Sequence, residues 1–157
     1  MRQSAVKGIC FGLTSGIITT LGMIVGLSSF TGSRLVVMGG VLSIAIADAF
    51  SDSLGIHMSE ESERKSTKNV WVSTISTFLS KLIFASTFII PIMFFELGKA
   101  IIISVIWGLL ALALLNYFIA KERKENPLRV ISEHLLLATL VVAIIHYIGI
   151  LINVFFG

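Results

Sequence analysis

Long apolar stretches decide what this chain can fold into. Five segments of about 20 or more mostly apolar residues follow one another, at about 6–29, 35–57, 70–95, 98–119 and 131–155. Roughly 20 such residues in a helix cross the hydrocarbon core of a bilayer, and a helix satisfies its own backbone hydrogen bonds in lipid. We therefore predict an all-α integral membrane protein with five transmembrane helices, forming a single transmembrane domain over residues 1–157. Pro91 predicts a kink or a local break in the third span.

The composition agrees with a membrane protein. Of the 157 residues, 55% are hydrophobic and only 13% are charged, whereas soluble domains carry about 25% charged residues. The first apolar run, from Gly8 to Phe30, is longer than the roughly 7–15 residues of a signal-peptide core, so we expect it to be retained as a span. The single Cys10 excludes an internal disulfide and a multi-cysteine metal site.

Basic residues between the spans predict the orientation, because cytoplasmic loops are enriched in Lys and Arg. Only Arg34 and Lys99 fall on one side of the predicted spans. The other side carries nine basic residues: Arg2, Lys7, Arg64, Lys65, Lys68, Lys121, Arg123, Lys124 and Arg129. We therefore expect the N-terminus in the cytoplasm and the C-terminus outside. The net charge of +3 then reflects topology, with membrane lipid and not nucleic acid as the surrounding partner.

Two carboxylates interrupt the second span. Asp48 and Asp52 are four residues apart and so share one helix face, and Asp48 lies roughly 15 Å below the cytoplasmic end of the span. Each ionised Asp in lipid costs about 2.5–3.5 kcal/mol on insertion scales, so we expect a partner, a cavity or a cation. Oxygen ligands suit divalent cations such as Mg²⁺, Mn²⁺ and Fe²⁺. The alternative is a structural ion pair with Lys81, at similar depth in the third span, and the two roles can coincide.

A second polar cluster lies where the second span ends. Carboxylates at a pore mouth concentrate cations, and His57 and Glu61 have the i, i+4 spacing of shared metal ligands. The predicted cytoplasmic entrance consists of His57, Met58, Glu60, Glu61 and Glu63. The alternative is a solvated helix end in which Glu60 pairs with Arg64 and Glu61 pairs with Lys65.

Small residues recur every four positions on two spans and let helix backbones approach closely in lipid. The first span carries Gly8, Gly12 and Gly16, and the second carries Gly39, Ser43, Ala47, Ser51 and Gly55. Packing within the chain and a homodimer interface both remain open for these stripes.

Motifs typical of enzymes are absent. The sequence has no Gly-x-Ser-x-Gly, no phosphate-binding glycine loop with Lys and no His-Glu-x-x-His. Because Asp48 and Asp52 share one helix, an intramembrane aspartyl dyad split between two helices is also disfavoured. We expect no enzymatic activity.

Three regions resemble the vacuolar iron transporter family, the yeast-type vacuolar iron/manganese carriers and their prokaryotic relatives. Residues 11–28, FGLTSGIITTLGMIVGLS, are similar to the family's Asp-Gly-Leu…Gly-Leu block. Residues 49–57, AFSDSLGIH, with Ser62 and Glu63, are similar to its Ala-x-Ser-Met-x-x-Gly-x-Tyr…Ser-Glu block. The segment from Asn126-Pro-Leu-Arg to Gly149 is similar to its last span.

The chain departs from the family's pattern in the middle of the membrane. The family's first-span Asp falls at Ser15, its second-span Met falls at Asp52, and a second-span Glu falls at Ile44. The cytoplasmic metal-binding helices of plant members are missing, because only residues 59–69 separate the second and third spans. The site is thus richer in oxygen and poorer in thioether ligands than in the family, which favours harder cations.

The resemblance implies a homodimeric, proton-coupled exporter of Fe²⁺ or Mn²⁺ from the cytosol. Its partners would be metal cations and protons, with no permanently bound cofactor. The predicted pathway comprises Asp48, Asp52, Ser15, Met23 and Ser51. The membrane would be the cell membrane in a prokaryote and a vacuolar-type membrane in a eukaryote. Two alternatives stay open: a non-transporting scaffold with a structural Asp–Lys81 pair, and a channel or carrier for another solute.

Overall fold

The computed structural model describes all 157 residues, of which 91% are helical. The helices are α1 (Arg2–Thr31), α2 (Arg34–Ser62), α3 (Thr67–Thr87), α4 (Ile89–Phe94), α5 (Leu97–Arg123) and α6 (Pro127–Phe156). Helices α3 and α4 together form one span, Thr67–Phe94, so five segments are long and apolar enough to cross a membrane. The predicted all-α fold is confirmed, with five helices apolar enough to span a membrane. The orientation of the termini and the dimer stay predictions.

Local chemistry sets the helix ends. Gly32 ends α1 in the left-handed region at φ +58, which glycine adopts without strain, so the chain reverses within two residues. Ser33 then caps α2 by accepting a hydrogen bond from the Val36 amide at 3.4 Å. Asn126 caps α6 in the same way, accepting from the Leu128 amide at 3.0 Å. Such caps satisfy amides that a helix leaves without partners at its start.

The third span is broken near its end. Helix α3 ends at Thr87 and α4 starts two residues later, because Pro91 has no amide hydrogen to donate to the carbonyl of Thr87. At the break itself, the Phe88 amide donates a hydrogen bond to the carbonyl of Ala85, three residues earlier, at 3.2 Å. Trp107 of α5 donates its indole N–H to Thr87 Oγ1 at 3.1 Å, which ties the broken turn to its neighbour. The kink or local break predicted at Pro91 is confirmed as a break between α3 and α4.

Helix α1 lies at the centre of the bundle and contacts α2, α3, α5 and α6. Its glycine stripe packs against α3: a Cβ atom at Gly8 would lie 2.4 Å from the carbonyl oxygen of Ser73. One at Gly12 would lie 2.6 Å from the carbonyl oxygen of Thr77. The first small-residue stripe is therefore an intrachain contact that brings the α1 and α3 backbones together.

The small-residue stripe of α2 behaves differently. Its five members are all exposed: Gly39, Ser43, Ala47, Ser51 and Gly55. A Cβ atom added at Gly39 or Gly55 would meet nothing within 4 Å. This face of α2 takes no part in packing within the chain.

The apolar core occupies the half of the bundle away from the N-terminus and draws residues from every helix except α3, together with Phe88 between α3 and α4. Ten buried side chains form it: Ile17, Leu21, Ile24, Val37, Val41, Phe88, Ile92, Ala100, Leu112 and Ala138. Toward the N-terminal end of the bundle, the interface between α1, α2 and α3 becomes polar, and it encloses buried Ser73, Thr77 and Lys81. The charged cluster described next lies in this interface.

Candidate cation site between α1, α2 and α3

One lysine joins the two carboxylates of the second span. Lys81 of α3 is only 1% exposed, and its Nζ contacts Asp52 Oδ2 and lies 2.5 Å from Asp48 Oδ2. The same ammonium donates a hydrogen bond to Ser15 Oγ of α1 at 2.7 Å. Three helices thus supply one compact charged cluster, in which the lysine contacts Asp48, Asp52 and Ser15.

The sequence builds this cluster from two local features. Asp48 and Asp52 stand one turn apart on α2, so both carboxylates point to the same side. Gly16 of α1 makes room for the lysine stem, since a Cβ atom there would lie 3.2 Å from Lys81 Cγ. A side chain at this position would push the stem of Lys81 away from the hydroxyl of Ser15.

The cluster contains two acidic groups and one basic group. With all three ionised, its net charge is −1, in an interface where each Asp side chain is only 19% exposed. Asp48 Oδ2 is buried and accepts no hydrogen bond, although Lys81 Nζ lies 2.5 Å away. The two observations are compatible because the contact is an ion pair whose angles do not suit a hydrogen bond. The site therefore combines converging oxygen atoms with one negative charge that the chain does not neutralise.

Not every predicted pathway residue reaches this cluster. Ser51 lies on the exposed face of α2, in a groove between α2 and α3 that Trp71 also lines. Met23 lies about 12 Å from Ser15 along α1, at a rise of 1.5 Å per residue, and lines a groove of about 420 Å³ between α1 and α6. Within one chain the structure brings Ser15 to the two acids, and it leaves Ser51 and Met23 apart from them. The transport roles of all five residues stay predictions.

No group of three or more His, Cys, Asp and Glu side chains is gathered where it could hold a metal ion. The oxygen atoms assembled at the cluster are those of two carboxylates and the hydroxyl of Ser15. Any cation bound there would complete its coordination with water, backbone carbonyls or residues brought in by movement. Divalent cations with oxygen ligands commonly keep several waters.

The predicted entrance divides into two groups. In the first, Glu60 is 2% exposed and contacts the ammonium of Lys7 on α1. Lys7 Nζ also lies 3.4 Å from Glu63 Oε1, and Lys65 Nζ lies 3.6 Å from Glu63 Oε2. The hydrogen bond from Lys7, with the nearby positive charges, holds the pKa of Glu63 below its usual range.

The second group faces α3. His57 Nε2 lies 3.5 Å from Glu61 Oε1, and His57 Nδ1 lies 3.0 Å from Thr74 Oγ1. The imidazole packs edge-on against Trp71, with ring centroids 4.9 Å apart. Met58 is 63% exposed and belongs to neither group. His57 and Glu61 thus share a face as their spacing predicts, but the five entrance residues do not form one cluster.

The ion pairs predicted at the end of α2, Glu60 with Arg64 and Glu61 with Lys65, are wrong. Helix α2 ends at Ser62, and Arg64 adopts a left-handed conformation at φ +55, so neither Arg64 nor Lys65 continues the helical register. Glu60 pairs with Lys7 instead, and Glu61 pairs with His57.

Sequence reasoning missed Lys7 as a partner, although a signal existed. Lys7 precedes Ser15 by eight residues, and Glu60 follows Asp52 by eight. Because α1 and α2 are antiparallel, Lys7 lies at the same depth as Glu60 if Ser15 lies at the same depth as Asp52. Two charged layers, each with one lysine between two carboxylates, thus lie about two helical turns apart.

A model of the VIT family matches residues 52–150, more than half of the chain. The chain belongs to the VIT, or vacuolar iron transporter, family. The match includes Asp52 and Lys81 and begins after Ser15 and Asp48. A comparison with curated proteins gave no match. Family membership and five apolar helices indicate an integral membrane protein of metal-ion transport, and they are consistent with the expectation that the chain is not an enzyme.

Proposed function

We propose that this VIT-family chain is a proton-coupled carrier that exports divalent cations of the Fe²⁺ or Mn²⁺ type from the cytosol. The observation that carries the proposal is the cluster of Asp48, Asp52 and Ser15 inside the spanning bundle. These oxygen atoms converge within the polar interface of α1, α2 and α3, and with both carboxylates ionised the cluster would carry a net negative charge even with Lys81 in place. A polar cluster that lipid disfavours is typical of an ion pathway.

The cation would replace the ammonium of Lys81 at the carboxylates. Lys81 contacts Asp48, Asp52 and Ser15, the groups that would ligate a cation, so the ammonium would have to move away for a cation to bind them. Mn²⁺ and Fe²⁺ both accept carboxylate and hydroxyl oxygen ligands. Protons would exchange at Asp48 and Asp52, which couples the movement of metal to a pH gradient.

The proposed route starts at the entrance carboxylates. Cytosolic cations would collect at the acidic groups around Glu60, Glu61 and Glu63, with His57 as an additional ligand. They would then move inward to Asp52 and Asp48. The route requires the Lys7–Glu60 contact to open, because this contact joins α1 to α2 between the N-terminal end of the bundle and the Asp cluster.

The proposed homodimer uses the exposed stripe of α2. Small residues allow close helix contact in lipid; all five members of this stripe are exposed, and a Cβ atom added at Gly39 or Gly55 would meet nothing within 4 Å. Ser51 lies on the stripe, next in sequence to Asp52, so a second copy of the chain would lie close to the carboxylates. The membrane is proposed to be the cell membrane in a prokaryote and a vacuolar-type membrane in a eukaryote.

Uptake of Mn²⁺ or Fe²⁺ into proteoliposomes tests the proposal. Asp48→Asn and Asp52→Asn keep the size of each side chain and remove its charge, and each should abolish metal flux. Glu96→Gln is a matched control, since Glu96 is 82% exposed at the opposite end of the bundle and its loss of charge should leave flux intact. Unimpaired flux in both Asp variants would end this mechanism.

The contact of Lys81 with both carboxylates also favours a second candidate, a non-transporting scaffold in which the ion pairs are purely structural. The double exchange Lys81→Asp with Asp52→Lys separates the two. A scaffold should regain folding in the double variant, and its wild-type form should move no metal. Metal flux that ignores the pH gradient would instead indicate a channel.

A further inference from the structure

Lys81 is an unusual neighbour for a cation site, because it is a permanent part of the chain that already carries a positive charge. Its side chain is 1% exposed, and its ammonium lies against Asp52, Asp48 and Ser15 at once. Any ion that binds the carboxylates must therefore compete with an ammonium that the lysine side chain tethers beside them. A tethered group has a high effective concentration at its own binding site.

We infer that Lys81 determines the specificity of the site by excluding monovalent cations from Asp48 and Asp52. The inference rests on the proposed function and adds a residue that contributes no ligand of its own. Lys81 would act through the charge that it holds against the carboxylates.

Electrostatics supplies the argument. Coulombic attraction is proportional to the charge of the ion. A monovalent ion that displaced Lys81 would gain no more attraction than the ammonium loses, and it would also lose its own hydration. The displaced ammonium would remain in a buried interface without its partners, which is unfavourable. Na⁺ and K⁺ therefore have no net advantage over Lys81.

A divalent cation brings twice the charge to the same oxygen atoms. With Lys81 displaced, two carboxylates and one divalent cation sum to zero, whereas the carboxylates with Lys81 carry −1. The exchange thus neutralises the ligand cluster, and this gain is set against the cost of moving the lysine and the dehydration cost of a divalent cation, which is limited because such cations keep several waters. Removing Lys81 should have two effects: tighter binding of the divalent cation and new binding of monovalent ones.

The chain offers a control outside the proposed route. Lys99 also pairs with a carboxylate, that of Glu96 at 3.5 Å, but it is 71% exposed. Water and salt screen its charge far more than that of Lys81. Lys99→Gln should therefore leave the selectivity for divalent over monovalent cations unchanged.

The experiment measures Mn²⁺ uptake into proteoliposomes as NaCl is raised, against N-methylglucamine chloride at the same ionic strength. Wild-type uptake should respond equally to both salts, as should Lys81→Arg, which keeps the charge. Lys81→Gln should become at least about tenfold more sensitive to Na⁺ than to N-methylglucamine. Equal sensitivity of Lys81→Gln and wild type would overturn the inference.

If Lys81→Gln fails to fold, a second measurement with a double variant tests the same inference. Lys81→Gln combined with Asp48→Asn restores the net charge of −1 at the cluster, and equilibrium dialysis with radioactive Na⁺ reports binding in detergent without transport. The double variant should bind Na⁺ where wild type binds none; no binding would overturn the inference. If wild type moves no metal, the proposed function fails, whereas metal flux with unchanged Na⁺ exclusion in the Lys81 variants removes only this inference.

Discussion

Replacing Lys81 with Met tests whether the contacts of Lys81 with Asp48 and Asp52 stabilise the folded chain. The substitution keeps the length of the side chain and removes an ammonium that is 1% exposed, which leaves Asp48 and Asp52 side by side without a counter-charge. Removing one partner of a buried ion pair costs about 3–5 kcal/mol. Because each Asp is 19% exposed and partly reached by water, we expect the lower end of that range.

For a chain of this size, about 3 kcal/mol corresponds to a melting temperature lowered by roughly 6–12 °C. Thermal unfolding in detergent, followed by tryptophan fluorescence, measures the change. The control is Lys99→Met, because Lys99 is 71% exposed and lies 3.5 Å from exposed Glu96, and a surface pair contributes about 1 kcal/mol or less.

If unpaired charges cause the loss of stability, removing those charges should restore it. Lys81→Met combined with Asp48→Asn and Asp52→Asn removes all three charges and should recover most of the lost stability, since replacing buried ions by neutral groups is often tolerated. The reasoning is refuted if the triple variant is as unstable as Lys81→Met alone, or if Lys81→Met and Lys99→Met have the same melting temperature.

Further predictions concern helix packing and the entrance. Gly12→Val should abolish folding, since its Cβ would lie 2.6 Å from a backbone carbonyl of α3. Gly39→Val should fold and convert dimers to monomers in light scattering, and an intact dimer would exclude this α2 interface. Lys7→Ala should cost about 1–2 kcal/mol by leaving Glu60 buried without its partner, reduced by the exposure of Lys7; wild-type thermal stability would contradict this. Because the pKa of Glu63 is lowered in the folded chain, its ionised form stabilises the fold. This contribution to the free energy of unfolding is complete above the ordinary Glu pKa and is lost as the pH falls through the lowered pKa. The melting-temperature difference between wild type and Glu63→Gln should thus shrink on acidification, and a constant difference would contradict it.

Depth along the membrane was predictable from the sequence. Bilayer thickness and helix rise are fixed lengths, so apolar runs give the number of spans, and residue counts place Lys81 at the level of Asp48. The break before Pro91 follows equally directly from the chemistry of proline. These features depend on position along a helix and not on its neighbours.

Rotation about the helix axis was not predictable. In a soluble helix a polar face marks the outside, but in these spans most residues on the lipid-facing and on the buried sides alike are apolar. The sequence therefore gives no reason for Ser15 to face the carboxylates while Met23 and Ser51 face other grooves. The Lys7–Glu60 contact was missed for a related reason, since it depends on where α2 ends and on which helix packs beside it.

Flux of a panel of metals into proteoliposomes, with and without a pH gradient, tests the central claim most directly. The account predicts that wild type moves Mn²⁺ or Fe²⁺, that a pH gradient accelerates this flux, and that Asp48→Asn and Asp52→Asn each abolish it. Absence of flux for every metal in the panel, or equal flux in wild type and both Asp variants, would contradict the account.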